Sequence, residues 1–161
     1  RIGKRLSGEM DMAGLRRATD IEFGMATYEP FGISPLEPLG CGALCVISSV
    51  CGCKGFVEQA NEGEASENVI VGDFTAMEHG MGLDQLKHMS QAQRDPVEAR
   101  VAKEVAETLA ARLPRSDAHR QRLLETGQKL VRRMGWDQVC EHQLLPMLER
   151  LQDLSPTAGN E

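Results

Sequence analysis

The chain has 161 residues, a formal net charge of −6 and 41% hydrophobic residues. It is long enough to bury one core, and too acidic to offer the basic surface on which nucleic-acid binding depends. It contains no apolar run long enough to span a bilayer and opens with no charged-then-apolar leader. A cytoplasmic protein without nucleic-acid partner or membrane-spanning segment is therefore expected. The opening RIGKRLSGEMDMAG starts on Arg1 and in mid-phrase, as a fragment of a longer protein does.

Residues 1–19 read as a polar helix with Met10, Met12 and Leu15 as its buried edge. TDIEFGMA (19–26) reads as a strand running into a loop, 35–41 as a short helix, and GALCVIS (42–48) as a strand buried on both faces. The Gly- and Glu-containing stretch 51–68 reads as loop, and NVIVGDF (68–74) as a further buried strand. Strand, helix, strand, loop, strand predicts an α/β fold with a parallel sheet.

The second half reads as helix throughout. Asp95 is a candidate N-cap, with Pro96 at the first helical position and Glu98 completing a capping box. Val97, Val101, Val105, Leu109 and Leu113 recur every four residues as a core-facing stripe, and Pro114 ends it. A second helix from Ser116 to Gly135 places Leu123, Leu124, Leu130 and Val131 inside. A third runs from Asp137 to Leu151, bent at Pro146, with Trp136 anchoring it to the core. The division expected is a lobe over 1–94, helices packing on it over 95–155, and a frayed tail over 156–161.

The stretch YEPFGISPLEPLGCGALCVISS (28–49) concentrates the chemistry. It lies where a strand gives way to a helix, and ligands of open parallel sheets sit beyond the carboxyl ends of strands. Gly32 lets backbone approach a ligand. Ser34, Pro35 and Glu37 fit the cap, first turn and third position of a helix whose free amides suit an anion. The same S-x-x-E spacing reads equally as a capping box, with Glu37 bonding back to the Ser34 amide. Glu29 precedes the cap and reads either as a solvated loop carboxylate or as a functional one.

Cys41, Cys45, Cys51 and Cys53 crowd together, with Cys140 distant. Their spacing matches no common zinc pattern. Cys41 would sit at a helix end and Cys45 inside a buried strand, so their sulfurs need not converge, and small buried or loop thiols are expected. His79, His88, His119 and His142 have no neighbours at triad or ligand spacing.

Residues 28–49 resemble the E-x7-E motif of retaining glycosyltransferases of the GT-B fold, especially glycosyltransferase family 4, commonly E-x-F-G-x-x-x-L-E-A-M-A-x-G-x-P-V-V-A. Glu29, Phe31, Gly32, Leu36, Glu37, Gly42 and the buried strand are kept. Pro38-Leu39-Gly40 stands for Ala-Met-Ala, and Leu44-Cys45 for Pro-Val. The resemblance runs from about residue 10 to 72 and resumes weakly over 135–151. It implies a partial Rossmann-like sheet, the C-terminal lobe of the GT-B fold, followed by a helical tail.

The resemblance further implies a nucleotide-sugar donor, a saccharide or other hydroxyl acceptor, and transfer with retention of anomeric configuration. Glu29 would be the catalytic residue, holding sugar hydroxyls and stabilising charge at the anomeric carbon. Phe31, Gly32, Ile33 and Ser34 would bind sugar or diphosphate through their amides, and Glu37 the ribose hydroxyls. No cofactor or metal is expected. An N-terminal lobe of the same protein would hold the acceptor. Gly52 and Gly55 are candidates for the family's Gly-Gly turn, Lys54 reads as a solvated or phosphate-reaching lysine, and Lys4 and Arg5 stand too near the motif to be its usual basic pair. Two readings of other classes compete. One is a non-catalytic α/β module that binds a phosphate ligand or a protein. The other is a thiol-based redox or zinc module on the four clustered cysteines.

Overall fold

The computed structural model describes residues 11–26, 29–76 and 83–154; Lys4, Arg5, Met10, His79 and the 156–161 tail lie outside them. In chain order the elements are α1 (Met12–Arg17), β1 (Ile21–Gly24), a 3-10 helix (Ser34–Cys41), β2 (Leu44–Ser48), α2 (Cys53–Ala60) and β3 (Val69–Gly72). These are followed by α3 (Leu83–Lys87), α4 (Gln91–Arg112), α5 (Asp117–Arg133), α6 (Trp136–Val139), a π turn (Cys140–Leu144) and α7 (Leu145–Leu154). The three strands form one parallel sheet in the order β1-β2-β3. The expected α/β architecture with a helical C-terminal region is what the chain adopts.

Every residue of β2 is buried, as an unbroken apolar run in the middle of a parallel sheet requires. Strand alternation divides it between two cores. Cys45 and Ile47, with Val69, meet Leu36 and Leu39 of the 3-10 helix, Val57 of α2 and Leu130 of α5. Leu44 and Val46, with Ile70, meet Val101, Val105 and Leu109 of α4 and Leu123 of α5. Each fully buried aliphatic side chain stabilises the fold by about 1.5–3 kcal/mol. On the flanking strands Phe23 and Val71 stay 54% and 45% exposed.

Several expectations are corrected. The stretch read as loop contains α2, whose buried residues Cys53, Val57 and Ala60 face the sheet. Its apolar positions are too few for a periodic signal to stand out among glycines and glutamates. Helix α1 has no buried residue, with Met12 at 63% and Leu15 at 37% exposure. Helix α4 starts at Gln91 rather than after Asp95, because Gln93 Oε1 accepts from the Ser90 amide at 2.9 Å in an earlier capping arrangement. Pro96 therefore lies inside the helix, and the stripe ends at Leu109, with Leu113 at the cap.

Ser116 caps α5 as expected, its hydroxyl accepting from the His119 amide at 3.2 Å. Leu123 and Leu130 are buried, but Val131 is 39% exposed. Trp136 is no anchor: it is 80% exposed. Pro146, where a bend was expected, is the second residue of α7 and follows directly on the π turn. Proline has no N–H to offer the carbonyl one turn back, and a π turn absorbs that mismatch. Among the described residues no helix is long and apolar enough to cross a membrane.

Helix α5 closes the N-terminal ends of the strands. Asn68, fully buried just before β3, donates through Nδ2 to the Ala43 carbonyl at 3.2 Å and the Leu123 carbonyl at 3.0 Å. Its Oδ1 accepts from Thr126 at 2.6 Å. Beside it Glu67 takes Arg122 at 3.1 Å and His119 at 3.0 Å, while Arg112 Nη1 donates to the carbonyls of Ser66, Glu67 and Val69. The carboxyl of Glu67 is held below its ordinary value, first by the hydrogen bond from Arg122.

Candidate functional site

The opposite ends of the strands stay open. Past β1 the chain remains beside the chain leaving β2: Glu29 and Cys51 form a parallel bridge, and the Gly52 amide donates to the Glu29 carbonyl at 2.9 Å. Two glycines allow this. Gly32 has φ +58, and a Cβ there would overlap the Cys51 sulfur. A Cβ on Gly52 would run into the Pro30 carbonyl. Of the two glycines considered for a Gly-Gly turn, Gly52 is held against the loop, and Gly55 lies within α2 with open space around it.

The loop so placed forms one wall of an open cleft of about 380 Å³, lined by Glu29, Phe31, Gly32, Ile33 and Ser34 together with Gly24, Ala26 and Pro35. Five of the six sequence-predicted site residues thus meet in one place. Phe31 and Ile33 are 68% and 61% exposed. Oε1 of Glu29 accepts from the amides of Phe31 at 3.3 Å and Gly32 at 3.2 Å. These are long bonds made within the loop, so the carboxylate is pinned at the cleft wall by its own backbone.

Glu37, the sixth, does not line the cleft. The capping box with Ser34 is absent: Ile33 is the cap residue, in the right-handed helical region, with no side-chain bond. Glu37 turns instead to Arg16 of α1, whose Nη2 lies 2.6 Å from Oε2. Arg16 also holds Glu22 at 2.9 Å and approaches the Ser34 hydroxyl at 3.4 Å, so it links the second carboxylate to a residue of the cleft wall. Pro35 and Pro38 explain the helix type. With three residues per turn they share a face with each other, as do Leu36 and Leu39, and all four are buried.

Two more groups stand at this end of the sheet. Asp73, just after β3, accepts from the Ser49 hydroxyl at 2.8 Å and the Thr75 hydroxyl at 2.7 Å, and the Ser49 bond is the main cause that holds its carboxyl below the ordinary value. An acidic residue directly after a buried strand was the available signal. Cys41 is exposed and Cys45 buried in β2, as expected of them, while Cys51 and Cys53 converge, Sγ to Sγ 3.2 Å. Burial, above all, pushes the thiols of Cys45 and Cys53 up to about 12. Among the described residues no group of three or more His, Cys, Asp or Glu is placed to hold a metal ion. Lys54 pairs with Glu58 at 2.7 Å. His119 serves the Glu67 network, at the end of the sheet away from the cleft.

No family model, curated protein or solved structure matches the chain.

Proposed function

We propose that the chain forms the donor-binding part of a retaining glycosyltransferase, taking a nucleotide-sugar in the cleft at the carboxyl ends of its strands. The observation that carries this reading is the gathering of Glu29, Phe31, Gly32, Ile33 and Ser34 on that one cleft. The proposed role of Glu29 is to receive the sugar hydroxyls and stabilise positive charge developing at the anomeric carbon. Its carboxylate is already held by two amides, so little reorganisation is needed when charge develops. Glu37, about half exposed and oriented by Arg16, is proposed to bind the ribose hydroxyls. The acceptor, a saccharide or other hydroxyl compound, is assigned to a separate lobe.

A second reading is favoured by the same bonds. Both carboxylates already have partners, Glu29 in its own loop and Glu37 on Arg16, which suits a module that binds a phosphate ligand or a protein without catalysis. Titration with UDP-, GDP- and ADP-sugars separates the two, with nucleoside diphosphate release followed alongside. Glycosyl transfer requires saturable binding of one donor. It further requires release that falls about a hundredfold or more in Glu29→Gln and a donor Kd weakened about tenfold, roughly 1.4 kcal/mol, in Glu37→Gln. A folded chain that binds none of these donors leaves the non-catalytic module.

A further inference from the structure

Cys51 and Cys53 lie at the turn from β2 into α2, with Gly52 alone between them. Both are shut away, at 3% and 0% exposure, and their sulfurs stand 3.2 Å apart. The lid over them is the cleft loop itself. The Gly32 carbonyl is 4.0 Å from the Cys51 sulfur, and a Cβ on Gly32 would strike that sulfur and come within 3.6 Å of the Cys53 sulfur. Backbone from Glu29 to Gly52 ties the loop to the same turn.

We propose that Cys51 and Cys53 are a reversible disulfide site that reports the redox state of small thiols to the Glu29 loop. The oxidant is a small-molecule disulfide such as oxidised glutathione. When the loop lifts, the Cys51 thiolate attacks one sulfur of that disulfide, and the S–S bond breaks to release one small thiolate. The Cys53 thiolate then attacks the Cys51 sulfur of the mixed disulfide and expels the second. The protein loses two electrons and two protons, and two small thiols are formed. The sulfurs need to close by about 1 Å to reach a bond length near 2.05 Å. A ring closed over a single intervening residue constrains little of the unfolded chain. That suits a switch rather than a staple.

Oxidation removes the Cys51 thiol proton that faces the Gly32 carbonyl and shifts the sulfur on which Gly32 rests. The amides of Phe31 and Gly32, bonded to Glu29, move with it. An effect on donor binding rests on the glycosyltransferase reading; the disulfide and the loop response do not.

The test uses the full chain carrying Cys41→Ser and Cys140→Ser, equilibrated in glutathione buffers from fully reduced to fully oxidised. Thiols are then alkylated, peptides mapped, and amide exchange at Phe31 and Gly32 followed. The expected result is loss of two alkylatable thiols, a Cys51–Cys53 link that dithiothreitol reverses, and altered exchange at those two amides. Further Cys53→Ser substitution should leave a persistent glutathione adduct on Cys51. A folded chain that keeps both thiols at the oxidised limit, or links Cys45 instead, overturns the proposal. So does a link that leaves both amides unchanged. If the substituted chain does not fold, the same mapping on the unsubstituted chain decides, by the identity of the linked peptide. Donor titration of the reduced chain judges the glycosyltransferase reading separately.

Discussion

At the N-terminal ends of the strands, polar groups are locked to one another: Asn68 joins Ala43 to Leu123 and Thr126, and Glu67 joins His119 to Arg122. At the C-terminal ends, Glu29 is satisfied by its own loop, Phe31 and Ile33 point outward, and a cleft remains. Helix α5 covers the first end, and among the described residues no helix plays that part at the second. The lesson concerns where stability and chemistry are kept. A closed end can hold buried hydrogen bonds because a packed helix excludes water from them. An open end leaves a cleft that a ligand can enter, and it gives up the stability that closure would add.

That contrast is most easily broken through α5. Leu123→Ala, which empties a site that is 1% exposed, should destabilise the fold by about 2–5 kcal/mol in urea unfolding. Next in size is Asn68→Ala, which leaves the Ala43 and Leu123 carbonyls short of a donor. It should lose about 1–3 kcal/mol in the same measurement.

The pH dependence of unfolding should carry a contribution from each end. The Glu67 carboxyl is lowered from 4.5, so its contribution is present above that value and is lost as acid takes the pH down through its folded value. The Cys53 thiol is raised from 9.0 to about 12, so its contribution is full below 9.0 and lost as the pH rises toward 12. Glu67→Gln should flatten part of the acid limb, the rest belonging to Asp73, and Cys53→Ala part of the alkaline limb, the rest belonging to Cys45. The smallest effect belongs to the cleft rim. Phe31→Ser, at a side chain 68% exposed, should change stability by no more than about 0.5 kcal/mol while weakening any ligand the cleft takes.

Much of the fold was legible in local pattern. The run GALCVIS could only be a doubly buried strand, and the four-residue stripe of α4 could only be an inward face, since Val101, Val105 and Leu109 are all buried. The spacing of Glu29, Phe31, Gly32, Ile33 and Ser34 was enough to place them together, because a six-residue span at a strand end has little freedom to separate. Helix α2 was missed for want of periodic apolar residues. Trp136 was misjudged because size and hydrophobicity do not say whether a helix finds a surface to dock on; α7 touches chiefly the π turn that precedes it.

The parallel sheet, the burial of β2 on both faces and the gathering of the cleft loop follow from apolar runs, helix period and turn chemistry, all of which act over a few residues. The partners of the polar groups do not. Glu37 had a local solution in the Ser34 capping box and abandoned it for Arg16, twenty-one positions earlier in the chain. Cys51 and Cys53 are covered by backbone at Gly32, nineteen residues before Cys51 in the chain. Such choices depend on which side chains the packing of separate elements brings within 3–4 Å, and no local spacing encodes that distance.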